Sequence, residues 1–250
     1  MKILFIGNSF SEDANYYLYR LAQSVGADFE ALNLIIGGCS FERHAKCVEG
    51  NLRDYLIQYN GIDYHEEENH ATIEEGLKYR DWDFISIQQV SGSSGRYETY
   101  HPYIDTLLAK IKELCPKAKI LMHKTWAYEH GANHSEFHHY DNDPKIMHAR
   151  ICETYDRVSR EIGAYGVCPS GDVIEALRSM PEFNINEGGI SLHRDGFHLS
   201  MSYGRFAAAC TWFEFLGIGD LDKSTLMPEG EDIDPSLVAL IKKTVKETVK

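Results

Sequence analysis

Several things are scarce in this chain, and each scarcity narrows the field. No apolar run approaches the ~18 residues that a bilayer span requires, so no membrane partner is expected. The opening MKILFIGNSF is too short, and too soon broken by polar residues, to read as a secretory leader; a cytoplasmic protein is expected. Positive charge is in deficit, with 25 Lys and Arg against 38 Asp and Glu and a net charge of −13, which argues against nucleic acid as a partner. There is no Cys-x-x-Cys pair. The six cysteines (Cys39, Cys47, Cys115, Cys152, Cys168 and Cys210) are scattered, mostly in apolar contexts, and read as reduced core residues. Internal repeats and low-complexity linkers are also missing.

What the chain does have is apolar substance in an alternating order. Hydrophobic residues make up 43% of 250 and aromatics 12%, enough for a sizeable core in one α/β domain spanning 1–250. Short apolar runs, expected as strands, lie at Lys2–Ile6, Phe29–Ile36, Phe84–Gln88, Ile120–Lys124 and Ala164–Cys168. Between and after them come amphipathic stretches expected as helices: Asp13–Ser24, Phe41–Tyr59, Thr72–Tyr79, Tyr100–Cys115, Pro144–Ile162, Ser170–Met180, Ser202–Leu216 and Pro235–Val249. The alternation predicts a three-layer α/β/α sandwich around a parallel sheet of about five strands in flavodoxin-like order. Two stretches read as insertions on this pattern, near 61–70 (the acidic Asp63–Asn69) and at 128–143 (YEHGANHSEFHHYDND).

Polar residues at the strand ends carry the chemistry, because ligands of open α/β sheets bind there. After the first strand comes Gly7-Asn8-Ser9-Phe10-Ser11-Glu12. Ser9 and Glu12 fit a capping box, with Ser11 or Asp13 as alternative caps. Equally, a serine at the N-terminus of a helix is well placed as a nucleophile, since the helix end stabilises developing negative charge. Gly37-Gly38 follows the second strand, where a backbone N–H without a Cβ can approach a ligand. Gln88-Gln89 follows the third, offering a side-chain amide as an oxyanion donor or as a polar strand cap. Late in the chain, Asp195-Gly196-Phe197-His198 sets a carboxylate three residues from an imidazole, with a glycine to permit a tight turn.

These blocks, in this order and over nearly the whole chain, resemble the SGNH (GDSL-like) hydrolase superfamily, and specifically its DUF4886-type branch. Gly7-Asn8-Ser9-Phe10-Ser11 stands where the superfamily often has Gly-Asp-Ser, Gly38 at its second block, and Asp195-Gly196-Phe197-His198-Leu199-Ser200 at its Asp-x-x-His. The third block departs: Gln88-Gln89-Val90-Ser91 replaces the usual Gly-x-Asn-Asp, so no asparagine is present. The resemblance implies a serine esterase with Ser9 as nucleophile, His198 as base and Asp195 as its orienter. The implied oxyanion hole comprises the Ser9 and Gly38 N–H groups with the Gln88 amide, Gln89 being the less favoured donor. It further implies short-acyl, chiefly acetyl, esters of carbohydrate. Partners are then small-molecule or oligosaccharide esters, with no cofactor and no metal.

Two other functions compete. His130, His134 and His138 recur every four residues, with His139, Asp141 and Asp143 close by, and His193-x-Asp195-x-x-His198 is chelate-like; a metal-dependent hydrolase would use such residues. Alternatively, a non-catalytic carbohydrate-binding protein of the same fold would stack sugars on Trp126, Tyr128 or Trp82.

Overall fold

The structure, a computed structural model, describes residues 1–61, 63–64 and 70–250. The acidic insertion expected at Asp63–Asn69 lies outside the described residues except for the two-residue strand at its start. The sheet is built from β1 (Lys2–Gly7), β2 (Glu30–Ile35), β3 (Tyr55–Tyr59), β4 (Asp63–Tyr64), β5 (His70–Ala71), β6 (Phe84–Ile87), β7 (Lys119–His123) and β8 (Gly166–Cys168). Their order is β4-β3-β2-β1-β6-β7-β8, with β5 also pairing on β3. Within it, β2-β1-β6-β7-β8 are parallel, which is the flavodoxin-like order 2-1-3-4-5 in sequence terms. All five expected strands are present, and β1, apolar from Ile3 to Ile6, is buried on both faces as a central strand must be.

The edge corrects one expectation. The helix expected over Phe41–Tyr59 ends at Gly50, because Asn51 turns left-handed at φ 45° and returns the orphan carbonyls of Cys47 and Val48. The chain then runs Tyr55–Tyr59 as an antiparallel strand on β2, its aromatic and β-branched residues suiting a pleated surface. Antiparallel β3, β4 and β5 thus extend the five-stranded parallel core.

Helices cover both faces: α1 (Ser9–Asn15), α2 (Leu18–Ser24), α3 (Phe41–Gly50), α4 (Ile73–Lys78), α5 (Tyr103–Leu114), α6 (Pro144–Ile162), α7 (Ser170–Arg178), α8 (Tyr203–Phe215) and α9 (Pro235–Thr248). Their starts follow capping chemistry. Ser40 caps α3, a complete Thr72/Glu75 box caps α4, and Asp143 and Asp234 precede the N1 prolines of α6 and α9. α8 is apolar nearly all round and packs on α1, α2, α7 and α9 in one layer, while α3, α4 and α5 pack together in the other. The expected helix Asp13–Ser24 is in fact two helices, and the first begins at Ser9. All six cysteines are free thiols. Among the described residues, no helix is long and apolar enough to cross a membrane.

Candidate active site

The site forms where β1 and β6 end, at the point where the strand order reverses direction. Gly7, the last residue of β1, has no room for a side chain: a Cβ there would meet Ser11 Oγ at 2.6 Å and Gln88 Cδ at 3.2 Å. That close approach lets α1 start immediately. Asn8, not Ser9, is the N-cap, its Oδ1 accepting from Phe10 N–H at 3.0 Å. The capping-box reading of Ser9 and Glu12 is therefore corrected. Ser9 is the first residue of α1, where a backbone N–H has no intrahelical partner. Ser11 Oγ instead bonds Asn8 O and Asn33 Oδ1, and Glu12 lies 3.4 Å from Arg205.

With its cap made by another residue, the Ser9 hydroxyl is left to face the late loop. His198 Nε2 stands 2.8 Å from Ser9 Oγ, and His198 Nδ1 stands 2.7 Å from Asp195 Oδ2. Asp195 can only accept, so Nδ1 carries the proton and Nε2 presents its lone pair to the serine. Asp195 Oδ1 also accepts from the Phe197 and His198 N–H groups at 3.1 and 2.7 Å. Partial burial works against the Asp195 charge, but the His198 ring and these two N–H groups outweigh it and hold the carboxyl below its usual value. Gly196 takes φ +87° and passes within van der Waals reach of Ala132, so the loop turns where only a glycine fits without strain.

The three oxyanion candidates differ in what their donors already do. Gly38 sits exposed in the turn after β2 at φ +63°, and its N–H meets no partner among the described residues. Asn8 Nδ2 reaches the next residue along, bonding Cys39 O at 3.0 Å, so this turn is tied to the start of α1. Gln88 is buried, and its Nε2 donates to Asn8 Oδ1 at 2.8 Å, using one of two amide hydrogens. Gln89 is fully occupied: Oε1 accepts from Phe41 and Val90 N–H, and Nε2 donates to Thr99 O and Oγ1.

Behind Gln88 runs an uncharged hydrogen-bond chain whose polarity can be read link by link. Phe10 N–H fixes Asn8 Oδ1, so the Gln88 nitrogen faces it and Gln88 Oε1 faces His123 Nδ1 at 2.7 Å. His123 therefore donates from Nδ1 and accepts at Nε2 from Ser170 Oγ at 3.0 Å. Complete burial pushes the His123 ring down to about 3, keeping it neutral. The chain crosses the ends of β1, β6 and β7 and finishes at the first residue of α7.

The His198 loop is held by residues that read otherwise in the sequence, Asp13 as an alternative cap and Trp126 as a sugar platform, and by others that the sequence reading passed over. Asp13, fully buried on α1, accepts from Arg205 Nε at 2.8 Å, Arg194 Nη1 at 2.9 Å and Leu199 N–H at 2.8 Å. It thus grips the loop on both sides of Asp195–His198. Across the loop, Trp126 stacks on Phe10 at 4.3 Å and donates from Nε1 to Phe197 O at 2.8 Å. Glu129 N–H donates to Gly196 O at 2.7 Å, and the Phe197 ring meets His134 at 4.8 Å. A signal for Asp13 did exist: an acidic residue on the apolar face of a helix implies a buried partner.

The expectations for a histidine metal site and for sugar-stacking aromatics are both corrected. Of the three histidines four apart, only His138 lies within the 3₁₀ helix Ser135–Tyr140, so the three share no helix face. His134 packs against Tyr128 and Phe197, and His139 pairs with Glu136 at 3.5 Å. His193, two residues before Asp195, is buried with its Nδ1 3.4 Å from Glu129. Trp126 and Tyr128 are fully buried and Trp82 nearly so, which leaves no ring face for a sugar.

The fold is similar to the α/β fold of SGNH, or GDSL-like, proteins. Within it the chain belongs to the family described as "Domain of unknown function (DUF4886)", whose model matches residues 2–244. A DUF4886 protein from Bacteroides uniformis is 35% identical and superposes with a TM-score of 0.85, covering 100% of this chain and 93% of that one. A putative GDSL-like lipase from Parabacteroides merdae shares the fold at 16% identity and TM-score 0.56, over 87% and 96% of the two chains. An acetylxylan esterase from Geobacillus stearothermophilus does so at 15% and 0.54, over 88% and 94%. None of the curated proteins matches this sequence.

Proposed function

We propose that this protein is a serine ester hydrolase working through an acyl-enzyme. The observation that carries the reading is the unbroken line from Asp195 through His198 to the Ser9 hydroxyl, 2.7 and 2.8 Å per link. His198 Nε2 takes the Ser9 proton as Oγ attacks the ester carbonyl, and Asp195 stabilises the imidazolium that forms. The Ser9 and Gly38 N–H groups, with the remaining Gln88 amide hydrogen, receive the oxyanion. His198 then protonates the leaving alcohol, and water repeats the sequence to free the acid. No cofactor is needed.

The substrate we propose is a short-acyl ester, chiefly acetyl, on a carbohydrate. The fold is shared with an acetylxylan esterase, and the loops beside the site are polar, GSSGRYETYH at 92–101 and the histidine-rich 128–143. A fluorophosphonate probe should label Ser9 in the wild type and nothing in Ser9→Ala, which should also lose about 10⁴-fold or more in kcat. On p-nitrophenyl esters kcat/KM should be highest for acetate and fall beyond butyrate. An apolar acyl pocket would add about 0.8 kcal/mol per buried methylene. A rise toward octanoate would therefore replace the carbohydrate reading with a lipid one while leaving the serine mechanism intact.

A further inference from the structure

We propose that His148, Cys152 and Asp172 form a zinc-type metal site, outside the Ser9–His198–Asp195 line. His148 and Cys152 lie one turn apart on α6, and Asp172 lies in the first turn of α7. Their donor atoms make a nearly equilateral triangle: His148 Nε2 to Cys152 Sγ is 3.5 Å, Cys152 Sγ to Asp172 Oδ1 is 3.4 Å, and His148 Nε2 to Asp172 Oδ1 is 3.5 Å. A tetrahedral ion with bonds of ~2.0–2.3 Å sets its ligands ~3.3–3.8 Å apart, so these edges already match. Among the described residues this is the one group of three histidine, cysteine or carboxylate donors that converges.

A lysine lies beside the cluster, and its position decides between two explanations. Lys124 Nζ bonds Asp172 Oδ2 at 2.7 Å and stands 3.9 Å from Cys152 Sγ. That ion pair accounts for Lys124 and one carboxylate oxygen. It does not account for why a thiol and an imidazole from α6 both aim at the other oxygen, Oδ1. Lys124 instead orients the carboxylate through Oδ2, as an outer partner of a metal ligand does, and leaves Oδ1 to the Cys152 thiol and the His148 ring. His148 Nδ1 is shielded from solvent without a hydrogen-bond partner, so Nε2 is the nitrogen offered.

On binding, the Cys152 S–H proton leaves to solvent as the Sγ–metal bond forms; His148 supplies its Nε2 lone pair and Asp172 its Oδ1. A solvent molecule takes the fourth position, and the partly exposed cluster gives it an entry path. A thiolate in the donor set selects zinc or a similar borderline ion over magnesium or calcium. The ion would fasten the N-terminal half of α6 to the first turn of α7.

Titrating chelator-treated, full-length protein with cobalt(II) tests this directly. One cobalt per chain should bind with a thiolate-to-cobalt charge-transfer band, and zinc should displace it. Cys152→Ser should abolish the band, and His148→Ala or Asp172→Asn should weaken binding by about 10–100-fold, with circular dichroism checking that each variant folds. Ser9→Ala and His134→Ala should keep band and stoichiometry, so the result is independent of the hydrolase proposal. Failure of the wild type to bind cobalt, a spectrum without the thiolate band, or a band that survives Cys152→Ser would each overturn the site.

Discussion

Ser9 and His198 meet at 2.8 Å, yet the two sides of that contact are built from different materials. Ser9 stands at a strand-to-helix junction backed by the neutral chain Asn8–Gln88–His123–Ser170, every member buried. His198 stands on a partly exposed loop tied down by an ionic knot, with Asp13 receiving two arginines and a backbone N–H. A neutral chain costs little to bury, because each donor finds an acceptor. An ionic knot costs far more to bury, and its value depends on every charge keeping its partner. The serine side should therefore be robust to substitution of charge and vulnerable to added charge; the histidine side should behave the opposite way.

The largest effect should come from cutting the knot. Asp13→Ala would leave buried Arg205 with only Glu12, at 3.4 Å, and free the Leu199 N–H, at a cost of about 3–5 kcal/mol. Urea unfolding should report that loss, and kcat should fall while Ser9 remains in place. If the variant kept wild-type stability and turnover, the knot would not be what holds the loop.

Acid should break the other side. Burial pushes His123 down to about 3, whereas in the unfolded chain it charges below 6.5. The unfolded state then binds more protons throughout that window, so stability is complete above 6.5 and declines as pH falls toward 3. At pH 5 the loss is about 2 kcal/mol for this residue. His44, buried beside Tyr55, is pushed down to about 3 by the same cause and adds a similar slope. Thermal unfolding against pH should show the decline, and His123→Gln should roughly halve the slope that the two rings contribute.

A smaller effect sharpens the comparison within the loop itself. Gly196→Ala would place a Cβ 2.9 Å from Ala132 Cβ at φ +87°, a strain of about 1–3 kcal/mol. The loop must shift to relieve it, so kcat should drop roughly tenfold with little change in KM. The equivalent change at Gly38 has open space around it, so its strain comes from φ +63° alone and the penalty should be smaller.

Much of this architecture could be read from local pattern. Five apolar runs became the five parallel strands, and Pro144–Ile162 is bounded in the structure as its Asp143-Pro144 start and Gly163 stop require. Such signals are short-range: periodicity, caps and left-handed glycines act within a few residues. The same local logic offered a capping role for Ser9 beside the catalytic one and drew a helix through Tyr59, and both gave way to partners elsewhere. Asn8 captured the cap because Gln88 and Phe10 orient it, and β2 drew Tyr55–Tyr59 into the sheet.

The sequence by itself determined the strand order's raw material and the residue types at each strand end, serine, glycine, glutamine and the Asp-x-x-His pair. Only the tertiary structure decided what each side chain faces. Ser9 reaches His198 across 189 positions, Asp13 reaches Arg205 across 192, and Gln88 reaches Asn8 across 80. No local periodicity encodes such contacts. They exist because the parallel sheet brings the ends of its strands to one edge, where hydrogen bonds between distant residues settle which donor is spent and which is left for chemistry.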